Sequence, residues 1–355
     1  MNNEYVLLGR SGLRISRLCL GTMTFGTDWG WGSAEETSHQ IFNQYLDSGC
    51  NFIDTADGYT NGTSETLIGK FLKERGDRDR VVLATKFGFG RQEGNPNAGG
   101  NGRKNIYSAI ETSLRRLQTE YVDLYWLHNW DTVTPAEEVM STLDDLVRSG
   151  KVRYIGFSNC SGWYLARAQT IAELRGYEHI CALQLEYSLV ERNIEREHVP
   201  AALEFGMGIT PWSPLASGLL TGRYQQKGGL SGDGRLNAVR EHPAFAGLLT
   251  ERNWAIAGEL VKVAKEIGRS PAQVALNWVT KRPGVSSTII GATKLQQLED
   301  NLAALDFTIP EELSKRLDEI SAPEISYPYN FFRGEFTKMV TGGTSVRRTG
   351  EREAA

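Results

Sequence analysis

Short apolar runs alternate with longer amphipathic stretches along most of the chain. The runs fall at 17–21, 51–55, 81–86, 122–128, 152–158, 182–186, 209–213 and 287–291. Within each the apolar residues are nearly continuous rather than alternating. Parallel strands covered on their outer side by helices read this way. Between the runs, apolar residues recur at helical spacing. Ile41, Phe42, Tyr45 and Leu46 share a face, as do Ile106, Ile110, Leu114 and Leu117. Val139, Met140, Leu143, Leu146 and Val147 form a third stripe; Ile256, Leu260, Val263, Ala264 and Ile267 a fourth; Leu295, Leu298 and Leu302 a fifth. Start signals precede several of them. Ser33-Ala34-Glu35-Glu36, Thr134-Pro135-Ala136-Glu137 and Ser270-Pro271-Ala272-Gln273 read as capping boxes, and Gly49, Gly150 and Gly268 read as stops.

A strand–helix unit repeated eight times, with no GxGxxG turn, predicts an α/β fold closed as a (β/α)8 TIM barrel. An open doubly wound sheet is the alternative. The barrel is expected as a single domain over residues 1–325, followed by a C-terminal tail, 326–355, aromatic-rich and then polar. Two segments at 5–8 and 13–15 flank Gly9–Gly12 and predict an N-terminal β-hairpin over the opposite end of the barrel. Two βα loops are long. Residues 88–104 hold six glycines and three asparagines in 17 positions, and 217–250 are also Gly-rich and polar. Both are expected to be flexible covers for a cofactor or substrate. Residues 310–320 read as a further helix, and the end of the tail, 342–355, as disordered.

Composition narrows the function. The 355 residues carry 39 Lys plus Arg against 43 Asp plus Glu, a formal net charge of -4. That balance argues against a nucleic-acid partner held on a basic face. No apolar run is long enough for a membrane span, and the start, MNNEYVLLGR, lacks a signal-peptide core, so a cytoplasmic location is expected. Cys19, Cys50, Cys160 and Cys181 are scattered and read as reduced, mostly buried thiols. No clustered ligands predict a metal.

In a barrel the chemistry comes from the C-terminal ends of the strands. Asp54 ends the second run and Tyr59 follows it; Lys86 ends the third and His128 the fourth. A lysine closing an apolar strand needs a counter-charge, and Asp54 on the neighbouring strand supplies one. The ammonium in turn favours the phenolate of Tyr59, whose unperturbed pKa of ≈ 10 is too high for easy proton exchange near neutrality. Tyr59 can then exchange a proton with a substrate oxygen while His128 orients that oxygen. Nothing in the chain donates a hydride, so a nicotinamide cofactor is required.

These residues resemble the aldo-keto reductases. Asn51-Phe52-Ile53-Asp54-Thr55-Ala56 with Tyr59, Gly62 and Glu65 is similar to a family signature, Thr85-Lys86 to its lysine motif, and Asp123-Leu124-Tyr125-Trp126-Leu127-His128 to its histidine strand. The resemblance runs from Leu7 to about residue 320. It implies a catalytic tetrad of Asp54, Tyr59, Lys86 and His128, and a site for NADP(H). On the cofactor side it implies Ser158, Asn159 and Gln184 near the nicotinamide carboxamide and Trp212 stacked on the ring. Ser213, Pro214, Leu215 and Gly218 would lie along the pyrophosphate. Gly291, Thr293, Lys294, Gln297 and Asn301 would meet the adenosine 2′-phosphate and adenine. Arg223 and Arg235 are either phosphate clamps or solvated loop charges. Gln297 departs from the arginine that many members carry.

The implied activity is NADPH-dependent reduction of aldehydes or ketones, with Tyr59 as proton donor. The alternatives are the reverse oxidation of an alcohol or sugar with NADP+, and a nucleotide-sensing module resembling potassium-channel beta subunits. The expected partner is a small carbonyl or alcohol, acting on a monomer or homo-oligomer. Phe25, Trp29, Trp31, Phe87, Phe89 and Trp130 are candidates for an aromatic substrate pocket, or for loop packing.

Overall fold

A computed structural model of the chain describes residues 4–224, 236 and 247–344. Arg235, most of the loop at 217–250 and the end of the tail from 345 onward lie outside the described residues. The chain divides into two compact units, residues 1–321 and 322–355.

The first unit opens with an antiparallel hairpin, β1 (Tyr5–Leu7) and β2 (Arg14–Ser16). Eight parallel strands follow: β3 (Leu18–Gly21), β4 (Phe52–Asp54), β5 (Val82–Phe87), β6 (Val122–Leu127), β7 (Val152–Ser158), β8 (Ile180–Gln184), β9 (Gly208–Ile209) and β10 (Thr288–Ile290). From β3 to β9 each pairs with the next in sequence, and β10 pairs with β3. The ring closes through the segment before β10: Ile209 N donates to Gly284 O at 2.8 Å, Ser286 N to Ile209 O at 2.9 Å and Ile289 N to Pro211 O at 3.0 Å. This is the predicted (β/α)8 barrel with its hairpin.

Among the described residues of this unit the helices are α1 (Glu35–Asp47), α2 (Thr63–Arg75), α3 (Arg103–Leu117), α4 (Ala136–Arg148), α5 (Gly162–Arg175), α6 (His198–Phe205), α7 (Glu251–Ile267), α8 (Pro271–Thr280), α9 (Leu295–Leu302) and α10 (Glu311–Ile320). Their apolar stripes and the outer strand faces form one continuous core, in which Ile41, Ile110, Leu143 and Leu260 have no solvent exposure. A second cluster fills the barrel itself. Cys19, Phe52, Val82, Leu124, Trp126 and Cys181 pack there with Leu8 and Ile15, so the hairpin stoppers the N-terminal end. The hairpin turn needs Gly9. Its φ is +56°, and a Cβ would press on the backbone of Cys181, Gly206 and Gly208.

Three local expectations are corrected. Ser33 does not cap α1: Ala34 holds that position, and the Ser33 hydroxyl bonds to Thr24 O at 3.0 Å. Thr134 does not cap α4: Pro135 does, and the Thr134 hydroxyl is drawn to Asp131 at 2.6 Å. Only Ser270 forms the expected box, reciprocally with Gln273. The seventh strand is two residues, not five; beyond it Thr210 N still donates to Leu183 O at 2.7 Å and Trp212 N to Leu185 O at 2.9 Å before the chain turns to positive φ at Ser213. All four cysteines are free thiols, with Cys50 half-buried and the others buried.

The second unit, over its described residues, contains a short turn at Tyr329–Phe332 and helix α11 (Gly334–Val340). Phe331 packs against Phe336 at 4.5 Å between ring centroids.

Trp126 dictates a glycine on the adjacent strand. A Cβ on Gly156 would overlap the Trp126 ring and come within 3.0 Å of Ala182 O. Gly156→Ala is expected to cost about 1–3 kcal/mol through overpacking, measured as a lower Tm by calorimetry; an unchanged Tm contradicts it.

Candidate active site

Parallel strands start together and end together, so residues at their C-terminal ends share one face. Asp54 ends β4, Lys86 is the penultimate residue of β5, and His128 follows β6. Lys86 is register partner to Trp126. Its side chain has no solvent exposure and that of Asp54 has 2%. A primary ammonium has three hydrogens to donate. Here they go to Asp54 Oδ2 in a short ion pair, to Thr55 O at 2.7 Å and to the Tyr59 hydroxyl at 3.1 Å. The other Asp54 oxygen accepts Gln184 Nε2 at 2.9 Å. Both charges are thus fully hydrogen-bonded, the condition on which a buried pair is tolerated. Burial presses the Lys86 ammonium toward neutrality, but Asp54 and then Tyr59 outweigh it, and the net direction is up, so the lysine stays charged.

Tyr59 is half-buried and held by strained backbone. Thr60 and Asn61 both have positive φ, 45° and 55°, and Gly62 follows at 96°. Sparsely populated conformations of this kind persist where the surroundings over-determine them. The Tyr59 ring lies 5.8 Å from that of His128, nearly perpendicular. Burial, reinforced by the Lys86 charge, pushes the His128 imidazole well below its ordinary value. It is therefore neutral, with one ring N–H to donate. Its Nδ1 is buried and has no hydrogen-bond partner among the described residues.

The aromatic candidates separate. Trp29 meets Tyr59 edge-on at 6.5 Å and Trp31 at 5.6 Å, and Phe89 meets His128 at 4.6 Å. Trp29 and Phe89 remain 38% and 50% exposed, apolar surface beside polar reacting groups. Phe25 and Phe87 belong to the core instead, against Phe71 and Tyr125. Trp130 is stacked on Tyr164 at 4.7 Å.

The predicted cofactor residues surround the same strand ends. Asn159, with φ 45°, donates to His128 O at 2.9 Å and accepts the Trp212 indole N–H at 3.2 Å. Ser158, register partner to Gln184, has a wholly buried hydroxyl with no partner among the described residues. The same holds for the Ser217 hydroxyl, in a left-handed turn that runs on to Gly218 at φ 99°. Orphaned buried hydroxyls are rare in native proteins and here fit a polar ligand. Ser213 and Leu215 are half-buried, Pro214 is buried and Arg223 is exposed. At the start of α9, the Gln297 carbonyl accepts Thr293 N at 2.8 Å, Thr293 Oγ1 at 3.1 Å and Lys294 N at 3.2 Å. Asn301 donates to Gly291 O at 3.2 Å. Gln297 thus occupies the donors that an anion at this helix start would use.

A second cluster had no signal in the sequence beyond its place between Asp54 and Tyr59. Asp57 is 1% exposed, and neither carboxylate oxygen has a hydrogen bond among the described residues. Arg91 Nε lies 3.4 Å from it. Arg116 donates to Asp57 O at 2.8 Å and to buried Glu65 at 3.1 Å. Burial, then the Glu65 charge, push the Asp57 carboxyl up to about 7, against the opposing pull of Arg91 and Arg116. The loop at 88–102 is pinned rather than loose. Arg91 N donates to Ala98 O at 2.9 Å and Gly100 N to Gly88 O at 2.7 Å. Asn101 exchanges bonds with Asp131, N to Oδ2 and Oδ1 from N, both at 2.8 Å.

The Aldo/keto reductase family model matches residues 17–322. The uncharacterized oxidoreductase YrpG of Bacillus subtilis is 39% identical over 327 residues, 89% of this chain and 95% of that one. A Schizosaccharomyces pombe protein assigned by name to the voltage-gated potassium channel beta subunits is 37% identical over 90% of this chain and 93% of its own. The aryl-alcohol dehydrogenase [NADP(+)] of Phanerodontia chrysosporium is 32% identical over 90% of this chain and 86% of its own. Among the described residues no helix is long and apolar enough to cross a membrane.

The raised Asp57 value means the native state keeps a proton that the unfolded chain releases near 3.8. The contribution of Asp57 to stability therefore falls as pH rises from about 4 to about 7. Asp57→Asn has no such proton to lose. Its Tm relative to the parent is expected to rise between about pH 5 and about pH 8; a constant difference contradicts this.

Proposed function

The chain belongs to the aldo/keto reductase family of oxidoreductases, and on that footing we propose that it reduces aldehyde and ketone carbonyls to alcohols with NADP(H). The observation that carries the reading is the threefold use of the Lys86 ammonium by Asp54, Thr55 O and the Tyr59 hydroxyl. Because Lys86 donates into the phenol oxygen, the phenol's own proton is directed away from the lysine. The same charge stabilises the phenolate left when that proton is given up. Tyr59 is the general acid. Neutral His128 donates a hydrogen bond to the same substrate oxygen, and Asp54 is the counter-charge that keeps Lys86 ionised.

When bound, the nicotinamide supplies the hydride. Ser158, Asn159 and Gln184 would hold its carboxamide and Trp212 its ring. The Ser213–Gly218 turn would hold the pyrophosphate, with Arg223 alongside. Gly291, Thr293, Lys294, Gln297 and Asn301 would receive the adenosine 2′-phosphate and adenine once the Gln297 side chain gives up the Thr293 and Lys294 N–H groups that it accepts here. The orphaned Ser158 and Ser217 hydroxyls support this assignment. The exposed faces of Trp29 and Phe89 favour aromatic carbonyl compounds, and the NADP(+)-named aryl-alcohol dehydrogenase relative agrees with both parts of the reading. The reverse oxidation uses the same groups with Tyr59 as base.

Tyr59→Phe removes the acid but not the cofactor site. It is expected to lower the rate of NADPH-dependent benzaldehyde reduction by about 10²–10⁴-fold, with NADPH affinity by fluorescence titration unchanged. Activity within about threefold of the parent would reject the assignment. In the parent, NADH turnover equal to that with NADPH would reject the 2′-phosphate contacts.

A further inference from the structure

We infer that Arg91 is a positioning residue: its ion pair with Asp57 latches the Phe89 segment to the chain that carries Tyr59, and so sets the preference for aromatic over small aliphatic carbonyls. The inference rests on the reductase reading for its substrate and on geometry alone for the latch.

Phe89 stands two residues from Arg91 in sequence and 4.6 Å from the His128 ring. Asp57 stands two residues before Tyr59, and its backbone is fixed on both sides, N to Lys86 O at 3.1 Å and O from Arg116 at 2.8 Å. The pair Arg91–Asp57, at 3.4 Å, is therefore a direct tie between the Phe89 loop and the Tyr59 turn. Arg91 also reaches α3, donating to Asn105 Oδ1 at 2.9 Å and to Ser108 Oγ at 3.3 Å. The far end of the loop is held separately by Asn101 and Asp131.

The surroundings make this tie decisive. Asp57 shares its buried space with Glu65 of α2, Arg116 of α3 and Tyr125 of β6. Arg116 already serves Glu65. Arg91 is thus the cation within ion-pair distance of the Asp57 carboxylate among the described residues. Phe89 is half exposed, and the backbone bonds beside it are those of its neighbours, Gly88 O from Gly100 N at 2.7 Å and Arg91 N to Ala98 O at 2.9 Å. Loosening Arg91 frees the ring that lies against His128, whereas the hydrogen bonds of Lys86 to Asp54, Thr55 and Tyr59 do not pass through it. A small substrate needs only those groups; a planar aromatic one also needs the wall.

The test, run at about pH 8.5 so that Asp57 is ionised, is Arg91→Gln, with Arg91→Lys as the charge-keeping control and Asp57→Asn as the variant that removes the pair from the other side should Arg91→Gln lower stability. Two readouts are taken. Amide hydrogen exchange at Arg91 and Gly100 is expected to speed up by roughly tenfold, with β5 amides unchanged. KM for benzaldehyde is expected to rise by about tenfold with kcat and KM for propanal within about twofold of the parent, and Arg91→Lys to move back toward the parent. Unchanged exchange in the loop overturns the latch, whether or not the protein turns over either aldehyde. Faster exchange with an unchanged benzaldehyde-to-propanal ratio overturns the specificity role. A parent enzyme that reduces neither aldehyde counts against the reductase reading, and the exchange data then decide the latch by themselves.

Discussion

A lysine without solvent exposure sits among apolar strands at the C-terminal end of this barrel, and most of the site follows from what it takes to keep it charged. Isolated in such surroundings an ammonium would shed its proton. Asp54 on the adjacent strand prevents that, Gln184 from across the barrel holds the remaining carboxylate oxygen, and Thr55 O takes a second lysine hydrogen. The third hydrogen is committed to Tyr59. Breaking one partner of such a pair costs about 3–5 kcal/mol, because the other charge is left buried and unanswered. The same ammonium donates to the Tyr59 hydroxyl, and its charge adds to the burial that lowers His128.

The barrel supplies the rigidity this needs. Its N-terminal end is stoppered by Leu8 and Ile15 of the hairpin, and its interior by Trp126 against Gly156. The opposite end carries the irregular backbone. Thr60, Asn61, Asn159, Ser213, Ala216 and Ser217 all take positive φ in segments that follow strand ends. Strain is concentrated where side chains must be aimed, and the packed end holds the strands still.

The barrel was legible in the sequence because eight apolar runs separated by amphipathic stretches leave few other ways to bury both faces. Asp54, Lys86 and His128 were legible because a strand end fixes direction, and Tyr59 because it follows one closely. Other features depend on neighbours distant in the chain. Ser33 and Thr134 carry capping patterns, but their hydroxyls are claimed by Thr24 and Asp131. The glycine-rich loop at 88–102 reads as loose until Asn101 meets Asp131 and Arg91 meets Asp57. Phe25 and Phe87 look like pocket residues until the helices of the outer layer cover them. In each case the deciding contact spans the fold, and local pattern does not carry it.

If the Lys86 charge tunes Tyr59, its removal must change where the phenol ionises. The most direct test is an NMR titration of protein carrying isotope-labelled tyrosine, with the Tyr59 signal assigned by its loss in Tyr59→Phe, comparing the parent with Lys86→Met. The Tyr59 phenol is expected to ionise at lower pH in the parent than in Lys86→Met, because removing the ammonium removes the charge that stabilises the phenolate. The same titration midpoint in both proteins would contradict it.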